Sequence, residues 1–141
     1  MRVNFMLVDD NEIDLFVNQK YIEKIVEDAE IITFIRAKKA IEYLESMGQR
    51  SNADFKFIPD IILLDINMPE MNGFEFLDEF SGLDSEVLRD IRIYLLSSST
   101  NIKDVMDADR HKACSGFITK PLTGERVQQM INDVSTKIVQ K

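Results

Sequence analysis

Apolar residues along the chain fall into two kinds of block. The first kind is compact and rich in Val, Ile, Leu and Phe: residues 3–8, 30–34, 61–64, 91–96 and 116–119. Each run has the length of a strand and closes on polar or turn-forming residues, as strands covered on both faces do. The second kind recurs at helical spacing. Ile13, Phe16, Val17, Tyr21 and Ile25 form a stripe after the first run; Ala40, Ile41 and Leu44 lie on one side of 37–47, closed by Gly48; Phe74, Leu77 and Phe80 follow Gly73. Asn101, with Asp104 three residues on, opens a fourth helix. Thr123 can cap a last one carrying Val127, Met130, Ile131, Val134 and Ile138. Residues 49–58 read as a loop whose aromatic pair, Phe55 and Phe57, either packs on the sheet edge, the favoured expectation, or forms a partner or dimer contact, and 82–90 as irregular chain or one short helical turn.

Strand and helix therefore alternate five times. Parallel strands need a crossover between neighbours, so the pattern predicts an α/β fold, a doubly wound parallel sheet with helices on both faces. Right-handed crossovers leave few topologies. The chain has 141 residues, enough for one domain and too few for two ordinary ones. With no linker, repeat or low-complexity tail, the expectation is one unit over 1–141 with no output domain.

Charge narrows the partners. The formal net charge is -8 and no Lys/Arg block stands against it, which argues against nucleic acid and anionic membrane. No apolar segment approaches 18 residues, and the N-terminal run ends in Asp9-Asp10 where a secretory signal would have a small-residue cleavage site. Cys114 is the only cysteine, so it has no internal disulfide partner; that suits a reducing cytosol, and its expected role is that of a buried, small apolar residue. His111, the only histidine, is expected on the fourth helix as a surface or packing residue.

The candidate chemistry lies at the strand exits. In an open parallel sheet every strand's carboxyl end reaches one edge, where ligands bind. The first strand delivers Asp9 and Asp10 there, the third Asp65, the fourth Ser97 and the fifth Lys120. Singly, each has an ordinary explanation: turn former, N-cap, solvated lysine. Jointly, carboxylates so close repel unless a cation sits among them. Mg²⁺ suits the set best, with Mn²⁺ as a substitute, because it takes carboxylate oxygens, keeps waters and bridges to phosphate. Lys120 offers a compact charge and Ser97 a hydrogen bond to a phosphoryl oxygen. The set fits acceptance of a phosphoryl group by a carboxylate.

The motifs Leu7-Val8-Asp9-Asp10-Asn11, Ile62-Leu63-Leu64-Asp65-Ile66-Asn67-Met68-Pro69, Met71-Asn72-Gly73, Leu96-Ser97-Ser98-Ser99 and Gly116-Phe117-Ile118-Thr119-Lys120-Pro121-Leu122 together resemble the receiver domain of two-component response regulators, in particular the stand-alone, chemotaxis-regulator type. The resemblance covers essentially the whole chain. It implies a flavodoxin-like (βα)5 sandwich with strand order 2-1-3-4-5. It also implies that Asp65 is the phosphoacceptor, that Asp10 binds Mg²⁺ directly with Asp9 acting through water, and that Asn67 gives its backbone carbonyl to the metal. Ser97 and Phe117 then form the switch pair, Lys120 binds phosphate, and Asn67 and Ser99 tune hydrolysis. Pro121 follows Lys120 as in the family, often through a cis peptide. Phe117 lacks the hydroxyl of the tyrosine common at its position.

The implied phosphodonor is a histidine kinase or a histidine phosphotransfer protein. The implied output is a phosphorylation-dependent contact through the fourth helix, fifth strand and fifth helix, in a cytoplasmic monomer or weak dimer. Two other readings stand beside it. A small aspartate-nucleophile phosphohydrolase would need a second catalytic carboxylate where Asn67 stands, and a phosphorylation-independent docking module would not need a complete site.

Overall fold

The computed structural model describes residues 2–48, 57–83, 85–98 and 101–140, with side chains up to Val134 in the last helix. Its strands are β1 (Val3–Val8), β2 (Ala29–Phe34), β3 (Ile61–Asp65), β4 (Arg92–Ser97) and β5 (Cys114–Thr119). Its helices are α1 (Glu12–Ile25), α2 (Ala37–Gly48), α3 (Gly73–Ser81), α4 (Ile102–Arg110) and α5 (Gly124–Gln140). The strands form one sheet in the order β2-β1-β3-β4-β5, with every pairing parallel. This is the fold and strand order expected from the motifs. One 3-10 turn, Glu86–Leu88, interrupts the irregular stretch after α3, matching the short turn expected there.

Alternation along each strand sorts side chains to the two faces. Met6, Val8, Ile62, Leu64, Ile93 and Leu95 join a core with α2, α3 and Ala108 of α4. Phe5, Leu7, Ile61, Leu63, Tyr94 and Leu96 join a second core with α1 and α5. All five residues of β3 are buried, including Asp65. Both cores thus grip the strand that carries this acid, which leaves its backbone little freedom to drift.

Helix boundaries follow their caps. The Asn11 side chain accepts from Ile13 N and Asp14 N at the start of α1. Asn72 and Glu75 form a reciprocal capping box on α3. The Asn101 side chain accepts from Lys103 N, and Thr123 Oγ1 from Arg126 N, as predicted for the starts of α4 and α5.

Several expectations need correction. The predicted stripe of α1 faces solvent: Ile13 is 74% and Phe16 61% exposed, and Val17, Tyr21 and Ile25 are exposed as well. The buried face is Leu15, Asn18 and Ile22, continued by Val26. A polar residue in the middle of that face conceals it from a hydrophobic pattern. In α3 the fully buried aromatic is Phe76, while Phe74 and Phe80 are half-buried against the same core. His111 lies one residue beyond α4, as its C-cap. β5 begins at Cys114, which is partly exposed, and its Sγ lies 3.3 Å from Gly116 O. Phe57 is buried and its carbonyl accepts from the Tyr43 hydroxyl; Phe55 lies outside the described residues.

Candidate functional site

Parallel pairing brings the strand ends together. Val8 stands beside Leu64 in the β1–β3 register, so Asp9 and Asp10 follow directly alongside Asp65. Asp65 in turn stands beside Leu96, and Ser97 beside Thr119, which places Lys120 one residue past the end of β5. The Lys120 amide donates to Ser97 O at 2.8 Å, locking the two exits to each other, and the Lys120–Pro121 peptide is cis.

Asp9, Asp10 and Asp65 each bring a carboxylate oxygen to within 4.8 Å of the other two. Asp9 and Asp65 are buried, and Asp10 is exposed at the mouth. Lys120 Nζ reaches Asp9 Oδ2 at 3.0 Å and Asp65 Oδ1 at 3.4 Å. It also reaches Asp14 Oδ2 at 2.9 Å. The other oxygen of Asp9 accepts from Asn11 N at 2.9 Å, so this carboxylate is tied on both sides.

Three carboxylates thus share a single ammonium, with Asp10 beside two of them at the mouth. Burial and the neighbouring Asp9 push the Asp65 carboxyl up to about 6, against the opposing pull of Lys120. Burial alone would lower the Lys120 ammonium, but hydrogen bonds to Asp14 and Asp9 outweigh it and raise it above the ordinary lysine range. The residual negative charge and the oxygen-only donor set fit a hard divalent cation. Asp9, Asp10 and Asp65 are the side chains that would hold it.

The loop after β3 shapes the mouth of the site. Ile66 N donates to Leu96 O, Gly73 N donates back to Ile66 O, and Met71 N donates to Pro69 O. Glu70 sits in the left-handed region at φ 69°. Gly73 is required by contact: a Cβ there would lie 3.0 Å from Ile66 Cα and 3.2 Å from Asp65 O. Asn67 is exposed at the start of this loop, two residues past the acid.

Ser97 is fully buried at the end of β4. Phe117 is half-buried in β5, against the α2–α3 side of the sheet. Ser99 lies outside the described residues. His111 Nε2 is 2.8 Å from Asp78 Oδ1, while its Nδ1 accepts from Ala113 N, so it ties the end of α4 to α3. Asp14 is the site residue that the strand-end reasoning misses. Its only sequence signal is its place three residues past the cap Asn11.

Comparison with known proteins agrees with this geometry. A family model of the response regulator receiver domain matches residues 5–132. The chain is 31% identical, over 97% of its length, to the two-component response regulator ARR10 of Arabidopsis thaliana, of which it spans 22%. It is 28% identical, over 93% of its length, to the polar-differentiation response regulator DivK of Brucella ovis, of which it spans 94%. The crystal structure of a two-component response regulator from Cytophaga hutchinsonii aligns with TM-score 0.84 at 28% identity, covering 96% of this chain and 99% of that one. With five parallel strands in this order and an acidic cluster facing a lysine at their exits, the chain belongs to the response regulator receiver domains, signalling proteins that act as phosphoacceptors.

Proposed function

We propose that Asp65 is the phosphoacceptor and that the chain signals by protein contacts that change when Asp65 is phosphorylated. The observation that carries this reading is the convergence of Asp9, Asp10 and Asp65 within 4.8 Å, with Lys120 Nζ 3.4 Å from Asp65 Oδ1. Above about pH 6 Asp65 is ionised and can act as a nucleophile. Its carboxylate oxygen attacks the phosphorus of a phosphohistidine. The new P–O bond forms as the P–N bond breaks, and the departing imidazole nitrogen keeps the electron pair and takes up a proton. The donor is a histidine kinase or a histidine phosphotransfer protein.

Mg²⁺, held by Asp9, Asp10, Asp65 and the Asn67 carbonyl, would neutralise charge on the transferring group. Lys120 supplies a compact cation to a phosphoryl oxygen, and the Ser97 hydroxyl a hydrogen bond to another. Drawing Ser97 toward the phosphoryl group pulls on the end of β4. Phe117 lies on the neighbouring strand and would follow, biasing a two-state surface. That surface includes α4, whose Ile102, Val105 and Met106 are exposed, and a cavity of about 230 Å³ between α4 and β5 lined by Val105, Met106 and Phe117. Asn67 and Ser99 are proposed to tune the lifetime of the phosphoryl group. Among the described residues no helix is long and apolar enough to cross a membrane.

The test is incubation with acetyl phosphate and Mg²⁺, read by intact mass. The wild type should gain one phosphoryl group and Asp65→Ala none. A gain that survives Asp65→Ala would contradict the assignment.

A further inference from the structure

Lys120 has more acidic partners than phosphoryl binding requires. Its Nζ lies 2.9 Å from Asp14 Oδ2, closer than the 3.0 Å to Asp9 Oδ2 and the 3.4 Å to Asp65 Oδ1. Asp14 belongs to the first turn of α1, not to a strand exit. An ammonium carries three N–H groups. Asp9 and Asp14 each take one as a hydrogen bond, and the third faces Asp65 at a longer distance. A phosphoryl oxygen on Asp65 therefore finds only the N–H that faces Asp65 at 3.4 Å, and drawing Nζ in to bind it closely pulls Lys120 away from Asp9 or from Asp14.

Burial decides which. The side chain of Asp9 is 5% exposed and that of Asp14 38%. Releasing Lys120 from Asp9 would strand a buried carboxylate, which is costly. Released Asp14 can rehydrate, and the positive end of α1 stabilises its charge. We propose that Asp14 is a positioning residue that holds Lys120 in the unphosphorylated protein and surrenders it to the phosphoryl group, so that competition from Asp14 weakens the hold of the site on phosphoryl-like anions.

The inference rests on the reading of Asp65 as phosphoacceptor, and a titration with beryllium trifluoride at saturating Mg²⁺ separates the two. Asp14→Asn and Asp14→Ala should bind the mimic about fivefold more tightly than the wild type, the scale of one partly exposed ion pair. Glu12→Gln removes another first-turn carboxylate and should leave the affinity unchanged. Without Mg²⁺, the Lys120 ammonium protons should exchange with solvent faster in both Asp14 variants, a readout independent of phosphoryl chemistry. Equal or weaker binding by folded Asp14 variants, or the same gain in Glu12→Gln, overturns the role of Asp14 alone. Failure of the wild type to bind the mimic overturns the phosphoacceptor reading and this inference together.

Discussion

Lys120 Nζ stands 3.4 Å from Asp65 Oδ1 while it hydrogen-bonds Asp9 and Asp14 at 3.0 and 2.9 Å. The ammonium is shared, and the acid proposed to do the chemistry receives the weakest share. A buried carboxylate beside another carboxylate and under-served by its cation binds a proton more readily than usual, which is why Asp65 is pushed up to about 6.

This has a consequence for stability. Between the ordinary carboxylate value of 3.8 and about 6, the folded protein holds a proton on Asp65 that the unfolded chain has lost. Stability therefore falls as pH rises through that window and is level above it, as far as Asp65 is concerned. Asp65→Asn removes the penalty. In Mg²⁺-free buffer at pH 7 it should stabilise the fold by about 3 kcal/mol, with the difference vanishing near pH 4. Urea denaturation at both pH values, with and without Mg²⁺, checks this, and added Mg²⁺ should narrow the gap.

Loss of Lys120 should act in the opposite direction. Lys120→Met leaves the buried Asp9 and Asp65 without their cation. The cost should be about 3 kcal/mol in the absence of Mg²⁺. The ammonium is raised in the folded state, so the stability it supplies is fully present below pH 10.5 and is lost as pH climbs through the higher folded value. Denaturation at neutral pH is the appropriate comparison.

The face of α1 offers a test of packing. Phe16 is 61% exposed, and Phe16→Ser should change stability by no more than about 0.5 kcal/mol. Leu15→Ala, on the buried face, should cost about 2–4 kcal/mol. Equal effects would mean that the helix is rotated from the orientation described.

Gly73 should tolerate no side chain. The added methyl of Gly73→Ala would press on Ile66 Cα and on Asp65 O, both backbone atoms. Displacing the loop should cost about 1–3 kcal/mol. Because that loop begins at the acid itself, the variant should also accept phosphoryl groups more slowly, measurable by mass against time with acetyl phosphate.

The contrast between legible and hidden features has physical roots. Asp9, Asp10 and Asp65 are readable because they follow the buried apolar runs of β1 and β3, and Lys120 because it follows the shorter, partly exposed run of β5; parallel pairing sends all run-ends to one edge. Asp14 is hidden because a carboxylate in a helix's first turn is ordinary on local grounds, and its meaning comes from a lysine 106 residues away. The face of α1 misleads because Asn18 occupies the centre of the buried side while Ile13 and Phe16 point to water. Hydrophobic spacing identifies the helix but assigns the wrong side to the core.

The central claim is that the phosphoryl group resides on Asp65. Borohydride reduces an acyl phosphate to an alcohol, converting a phosphorylated aspartate to homoserine and leaving free carboxylates intact. After phosphorylation with acetyl phosphate and Mg²⁺, reduction and peptide mapping should find homoserine at position 65 alone. Homoserine at 9 or 10, or none at any position in a protein that has taken up phosphate, would contradict it.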